Sequence, residues 1–232
     1  MFNFYTGEVV LIDKPYTWSS FQAVNKIKYA IKNHASLFVD NIKIKPKVGH
    51  AGTLDPLATG LLIICTGKKT KEINSYMGLA KEYTGTFELG SITPCYDLEK
   101  PISQIFPTDH ISNDLILKTA KDFVGVQQQV PPLFSAIMVN GKRAYELARE
   151  GKDVELKSRE ITIHEFEITK IENQTVAFRI CCSKGTYIRS IARDFGLALN
   201  SGAHLTSLRR TKIGKFNIVD ALTPEKFSEM LN

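Results

Sequence analysis

The chain has 232 residues, 43% of them hydrophobic, which is enough for a sizeable core in one large domain or two small ones. Its formal charge of +6 and pI near 9.0 favour an anionic partner such as RNA. No stretch reaches the roughly eighteen consecutive apolar residues of a membrane span, and the start, MFNFYTGEVV, is not a basic segment followed by a long apolar run, so a cytoplasmic location is expected.

In chain order, Glu8 to Ile12 reads as a strand that Lys14 and Pro15 turn. Ser19 or Ser20 then caps a helix carrying Val24, Ile27 and Ile31 on one face. Residues 32 to 47, with the run KIKPK at 43 to 47, have weak periodicity and several lysines; they read as a solvated connection, with phosphate contact as the alternative. Residues 49 to 60, GHAGTLDPLATG, place three glycines and a proline around one carboxylate, Asp55, and leave almost no room for regular structure. Pro56 fixes its own φ and pushes Asp55 toward an extended conformation. The apolar run Leu61 to Cys65 is a buried strand, so one end of this loop is anchored in core and Asp55 is held.

A helix near 70 to 80 should present Ile73, Tyr76, Met77 and Ala80 to the core, and from Glu82 to Leu89 the period changes to two, with Tyr83, Gly85, Phe87 and Leu89 on one side of a half-buried strand. Residues 91 to 112 read as an irregular excursion. A helix near 113 to 124 follows, with Ala120, Phe123 and Val124 for packing, before QQQVPPLFSA returns to extended structure and Asn140 with Gly141 marks a turn. Alternation at 154 to 156, 161 to 168 and 176 to 182 indicates further strands, and Thr186 should cap a helix carrying Ile188, Ile191 and Phe195 inward. The fold class is therefore mixed α/β (α+β) with much antiparallel pairing, and no linker divides the chain.

Four cysteines, at 65, 95, 181 and 182, lack C-x-x-C spacing, and the histidines at 34, 50, 110, 164 and 204 are scattered. Reduced thiols and no metal are expected. The run TGKKT at 66 to 70 fails as a phosphate-binding Walker loop, because the preceding glycine spacing is wrong and the lysine that follows Gly67 is not itself followed by serine or threonine.

The string GHAGTLDPLATG resembles the catalytic loop of the TruB-type tRNA pseudouridine synthases. Asp13, Lys14 and Pro15, Tyr83, then Pro132 with Ser135 and Ala136, and Gly141 with Tyr145, Ala148, Arg149 and Gly151, continue the likeness in order. SKGTYIRS at 183 to 190 and GAHLTSLRR at 202 to 210 complete it, so it spans roughly residues 7 to 215. It implies a pseudouridine synthase fold, a curved and mainly antiparallel mixed sheet with flanking helices and a central cleft. Residues 1 to 232 would form a single catalytic domain, with too few residues after the last block for the C-terminal PUA domain that many relatives add.

The resemblance further implies isomerisation of uridine 55 in the T-loop of tRNA, without a cofactor, by Asp55, Tyr83 and Arg189. Arg189 would meet Asp55 and keep it ionised, and Tyr83 would stack on the flipped base. His50 would act as the wedge that replaces the extruded base, Tyr187 and Leu208 would line the pocket, and Lys14 and Lys71 match basic positions that touch substrate or brace loops. Arg209, Arg210 and Lys212 add charge near the last block, or form a solvated face. The stretch LGSITPCYDLEK at 89 to 100 keeps Thr93 and Asp97, but Pro94, Cys95 and Tyr96 depart from the acidic, threonine-rich form of the family. The expected partner is the T-arm stem-loop of tRNA, bound by a monomer with no obligate protein partner and no membrane. The competing reading is an RNA-binding chaperone that refolds tRNA without catalysis; the retention of Asp55, Tyr83 and Arg189 together argues for chemistry, while the covalent route of the aspartate stays open.

Overall fold

The computed structural model describes residues 2–135, 137–139, 141–151 and 155–231. Strand β1 (Val9–Lys14) alternates half-buried and buried positions. Helix α1 (Ser20–Ile31) begins where Ser19, not Ser20, closes a capping box with Gln22, and it buries Ala23, Val24, Ile27 and Ile31. The stretch read as a solvated connection holds a 3₁₀ turn, Ala35–Leu37, and a small hairpin, β2 (Phe38–Val39) with β3 (Ile42–Lys43). Asp40 and Asn41 turn that hairpin at positive φ, 50° and 62°, the geometry a two-residue loop demands.

Strand β4 (Val48–His50) takes in Gly49 and His50, and β5 (Thr59–Thr66) is longer than expected, so only Ala51 to Ala58 is irregular. The expected helix at 70 to 80 is a 3₁₀ segment, Gly67–Glu72, followed by the short α2 (Ile73–Met77). Ile73 and Tyr76 pack on the core as expected, joined by Leu79; Met77 is exposed instead. In β6 (Lys81–Leu89) Tyr83, Phe87 and Leu89 are buried.

Within 91 to 112, β7 (Ser91–Ile92) pairs with β8 (Gln104–Ile105). Helix α3 (Asn113–Asp122), capped by Ser112, buries Ile116, Thr119 and Ala120, whereas Val124 is exposed. Then come β9 (Gly125–Gln129), the hairpin β10 (Met138–Val139) with β11 (Lys142–Arg143), and α4 (Ala144–Arg149), a helix the sequence reading lacked. Gly141 turns the hairpin at φ 82°; Asn140, Ala136 and Val154 lie outside the described residues, and Glu155 and Leu156 form no strand. The chain continues through β12 (Arg159–Glu172), β13 (Thr175–Cys182), α5 (Ile188–Ala198), β14 (Ala203–Ile213), β15 (Phe216–Asn217) and α6 (Pro224–Glu229). Thr186 does not cap α5: Tyr187 holds that position, and the Thr186 hydroxyl donates to the Ser183 carbonyl instead.

The chain forms two compact units, one holding the residues up to Tyr83 and from Leu208 onward, the other Thr84–Ser207. In the first, β5 pairs antiparallel with β1 and β4 and parallel with β14, through Arg209 opposite Thr59 and Arg210 opposite Gly60. Since β5 side chains alternate faces, Leu62 and Ile64 enter a core with Ile27, Ile31 and Phe227, while Leu61, Ile63 and Cys65 enter another with Ile213. A strand buried on both faces reads as a continuous apolar run. In the second unit β12 pairs antiparallel with β13 and β9, over an aromatic cluster of Phe87, Phe123, Phe166, Phe178 and Phe195. The pairing is thus mixed and mainly antiparallel, as the α/β reading expects.

Phe178 stacks on Phe87 at 4.2 Å between ring centroids and is 1% exposed. Phe178→Ala should therefore destabilise the protein by about 3–5 kcal/mol, through reduced transfer energy plus a cavity. Urea unfolding followed by circular dichroism measures this; a loss below about 1 kcal/mol would show that the cluster collapses to fill the gap.

Candidate active site

Asp55 sits half-buried in the segment between β4 and β5, and the segment is tied to its surroundings at almost every step. Ala51 N–H donates to the Ile63 carbonyl, and Ala58 N–H closes a turn on the Asp55 carbonyl at 3.1 Å with Pro56 at its second position. Leu54, next to Asp55 in sequence, is buried. The buried Ser20 hydroxyl accepts from Leu54 N–H at 2.8 Å and donates to the Leu54 carbonyl at 3.1 Å. Ser19 caps α1, which leaves the next serine to hold the loop.

Two buried cations complete the support. Arg210, 1% exposed, donates from Nε to the Leu61 carbonyl at 2.7 Å and from Nη2 to the Gly52 carbonyl at 3.1 Å. Its backbone leaves no room for a side chain at Gly60: a Cβ there would collide with the Arg210 carbonyl oxygen, and Gly60 has φ 105°, a conformation costly for any other residue. Lys14 is fully buried, and its Nζ donates to the carbonyls of Trp18 at 2.5 Å, Pro15 at 3.0 Å and Pro56 at 3.4 Å. The structure thus makes Lys14 a brace beneath the loop rather than a group presented to a ligand. Burial lowers its pKa to about 8, with the Arg210 charge acting in the same direction and Asp55 opposing both.

The other predicted residues of this unit are placed as follows. His50 ends β4, half-buried; burial, and then the Arg210 charge, lower its pKa, so the imidazole is neutral at neutral pH. Tyr83 is buried on β6, and Leu208 is half-buried on β14, where its carbonyl accepts from the Thr59 hydroxyl at 3.5 Å. Lys71 is exposed on the 3₁₀ segment. The basic residues of the last block are not a free phosphate-binding face. Arg209 makes a two-pronged pair with Asp13, at 3.0 and 2.6 Å, Arg210 is buried, and Lys212 pairs with Glu82 at 3.1 Å.

In the second unit Arg189 is 4% exposed at the start of α5. Its Nη2 donates to the Phe134 carbonyl at 2.9 Å and its Nη1 to the Cys95 carbonyl at 3.2 Å, while Nε lies 3.7 Å from an oxygen of the buried Asp97. Sequence does not pair Asp97 with Arg189, because the spacing of the two residues carries no local signal. Tyr187 is fixed by an amide clamp, its N–H donating to Gln129 Oε1 at 2.8 Å while Gln129 Nε2 donates to its carbonyl at 3.1 Å. The Arg159 guanidinium lies 4.5 Å from the Tyr187 ring centroid, within cation–π range. Among the described residues no cluster of histidine, cysteine or carboxylate side chains is arranged to hold a metal, and no helix is long and apolar enough to cross a membrane.

Residues 40–188 match the TruB family pseudouridylate synthase N-terminal domain, and residues 189–232 match the tRNA pseudouridylate synthase B C-terminal domain. The chain is 59% identical over 225 residues to a Flavobacterium johnsoniae protein named tRNA pseudouridine synthase B, covering 97% of this chain and 96% of that one. A Phocaeicola vulgatus protein of the same name is 51% identical over 230 residues, covering 99% and 95%. Among solved structures, an archaeal box H/ACA sRNP Nop10–Cbf5 complex contains a chain with a TM-score of 0.69 and 25% identity, covering 99% of this chain and 55% of that one. A chain of an H/ACA RNP bound to a substrate RNA containing 2′-deoxyuridine scores 0.69 at 26% identity, covering 98% and 54%. The chain spans about half the length of these solved chains.

The buried lysine has a measurable consequence. Because the folded pKa of Lys14 is lowered from 10.5 to about 8, the folded chain releases this proton earlier than the unfolded chain. Across pH 8 to 10.5 the unfolded state binds more protons, so the stability attributable to Lys14 rises with pH, by about 3 kcal/mol at most. Unfolding free energies of the parent and of Lys14→Met, measured from pH 7.5 to 10.5, should diverge in favour of the parent. A constant difference would mean that the ammonium is solvated.

Proposed function

The chain belongs to the TruB family of pseudouridylate synthases, and from that membership we propose that it converts uridine 55 in the T-loop of tRNA to pseudouridine, with Asp55 as the reacting carboxylate. The observation that carries this reading is the fixing of Asp55: its loop backbone is bonded to the buried side chains of Ser20, Lys14 and Arg210, yet the aspartate itself remains partly exposed. The backbone that carries this carboxylate is fixed before substrate arrives, and less ordering entropy is then lost on binding.

The reaction breaks the bond from N1 of the base to C1′ of the ribose, turns the freed uracil and joins C5 to C1′; the C5 proton then leaves. Nothing is oxidised or reduced and no group donor is consumed. Asp55 supplies the negative charge beside the sugar and base, whether it adds covalently or supports elimination. Tyr83 is assigned to stack on the flipped uracil and assist removal of the C5 proton, and Arg189 to complete the catalytic set with a fixed positive charge. Tyr187 and Leu208 are assigned as pocket walls that exclude water. His50, neutral and at the end of a strand, suits a wedge, because an uncharged ring stacks where the extruded base was without attracting a phosphate; extrusion itself costs a few kcal/mol. The proposed setting is the cytoplasm, and the proposed active species a monomer.

Incubation with an unmodified tRNA transcript followed by chemical mapping of pseudouridine tests reaction class and position together. Modification at position 55 is expected; modification elsewhere, or none, would overturn the reading. Asp55→Asn should reduce pseudouridine formation to background while tRNA binding changes less than about threefold, since the amide keeps the shape but loses the charge. Normal turnover by this variant would remove Asp55 from the mechanism. His50→Ala should slow base capture in stopped-flow fluorescence with a 2-aminopurine reporter, and unchanged capture kinetics would count against the wedge.

A further inference from the structure

The net charge of the chain is unevenly distributed. Residues 15 to 54 contain six lysines, at 26, 28, 32, 43, 45 and 47, and one carboxylate, Asp40, for a net of +5 against +6 for the whole protein. The fold gathers four of the six. Lys28 on α1, Lys32 just after its last residue, and Lys43 and Lys45 in and after the hairpin line one open cavity of about 470 Å³ together with Ile44 and Pro46. No carboxylate lines it. Tyr29, 67% exposed, stands among these lysines with the Lys32 ammonium 3.6 Å from its ring centroid, and Phe38, 48% exposed, has the Lys43 ammonium 5.8 Å from its ring centroid.

An open, carboxylate-free cavity of this size, walled mainly by apolar side-chain surface including an exposed aromatic ring and carrying four lysines on its lining, complements an RNA strand, whose phosphates take the charge and whose unpaired bases present flat faces. Its location ties it to the proposed reaction. Helix α1 begins at Ser20, which holds Leu54 beside Asp55; at about 1.5 Å per residue, Lys28 and Lys32 lie some 12 and 18 Å further along the helix axis. We propose that this cavity is a second RNA-binding surface, which grips the backbone of the substrate RNA away from the uridine that Asp55 acts on and leaves the chemical step untouched. The inference rests on the assignment of tRNA as substrate.

The test is a single chain carrying Lys28→Gln, Lys32→Gln and Lys45→Gln, compared with the parent on an unmodified tRNA transcript. KM should rise about tenfold at 0.1 M salt with kcat unchanged, and the slope of log affinity against log salt, from filter binding, should fall by about 2 to 3, one unit for each phosphate that is no longer neutralised. The version carrying arginine at the same three positions should keep the parent slope. An unchanged slope and KM in the glutamine chain would overturn the proposal, as would an equal loss in the arginine chain, which would reveal a structural role. Weakened binding to phosphatidylserine vesicles with an unchanged tRNA slope would assign the surface to a membrane and overturn it too. If the parent formed no pseudouridine, the enzymatic reading would fail, while the binding slopes would still decide this one.

Discussion

The geometry of the site rests on hydrogen bonds from two buried cations to backbone carbonyls. Lys14 and Arg210 contribute donors to the carbonyls of Pro15, Trp18, Gly52, Pro56 and Leu61. A glycine-rich segment has little side-chain surface with which to fix itself, and ordering its backbone costs about 1–2 kcal/mol per residue. Desolvating an ammonium or guanidinium is also expensive unless its donors are satisfied. Each difficulty here answers the other: the loop, at Gly52 and Pro56, and the segments beside it, at Pro15, Trp18 and Leu61, offer carbonyls that need donors, and the cations offer N–H groups that need acceptors. The loop contributes little hydrophobic burial of its own beyond Ala51, Leu54 and Ala58, so polar bonds supplement the apolar packing that fixes other parts of the chain.

The same logic explains what was readable in the sequence. Leu61 to Cys65, the alternation through Tyr83, Phe87 and Leu89, and the helical face of Val24, Ile27 and Ile31 are local patterns, and each forms the element that its period demands. The glycines and proline around Asp55 identify a constrained loop for equally local reasons. What holds that loop is not local. Arg210 lies 158 residues from its acceptor at Gly52 and Ser20 lies 34 from Leu54, and no periodicity announces either bond. Arg189 and Asp97 are likewise distant in sequence and meet only through the fold of their unit.

Short elements failed for a different reason. The two-residue strands at Phe38 and Ile42 are too brief to show a period, yet the positive φ of Asp40 and Asn41 defines their turn. Met77 follows the spacing of a longer helix, but α2 ends at Met77 itself, so the projected stripe stops early and Leu79 takes the packing position. At α5, Thr186 looks like a cap by residue type, while its hydroxyl is taken by the Ser183 carbonyl one turn earlier and Tyr187 occupies the cap. Residue preference identified the right neighbourhood, and the competition between nearby hydrogen-bond partners decided the position.

The adjacent pair Arg209 and Arg210 shows why charge counted along a sequence is a poor guide to charge offered to a ligand. On a strand successive side chains point to opposite faces, so the two guanidinium groups reach different elements. Arg209 grips Asp13 near the end of β1, and Arg210 turns inward to the carbonyls of Gly52 in the Asp55 loop and Leu61 in β5. Both strand neighbours, Thr59 and Gly60, belong to β5, where the loop rejoins the sheet. A slip of one residue in this parallel register would exchange the faces, bringing Arg209 toward the loop and Arg210 toward solvent. Gly60 blocks that slip from the other side, since only a residue without a Cβ fits against the Arg210 backbone. Register, glycine and arginine therefore specify one another, and the position of the aspartate at the end of this arrangement follows from sheet pairing as much as from the loop's own sequence.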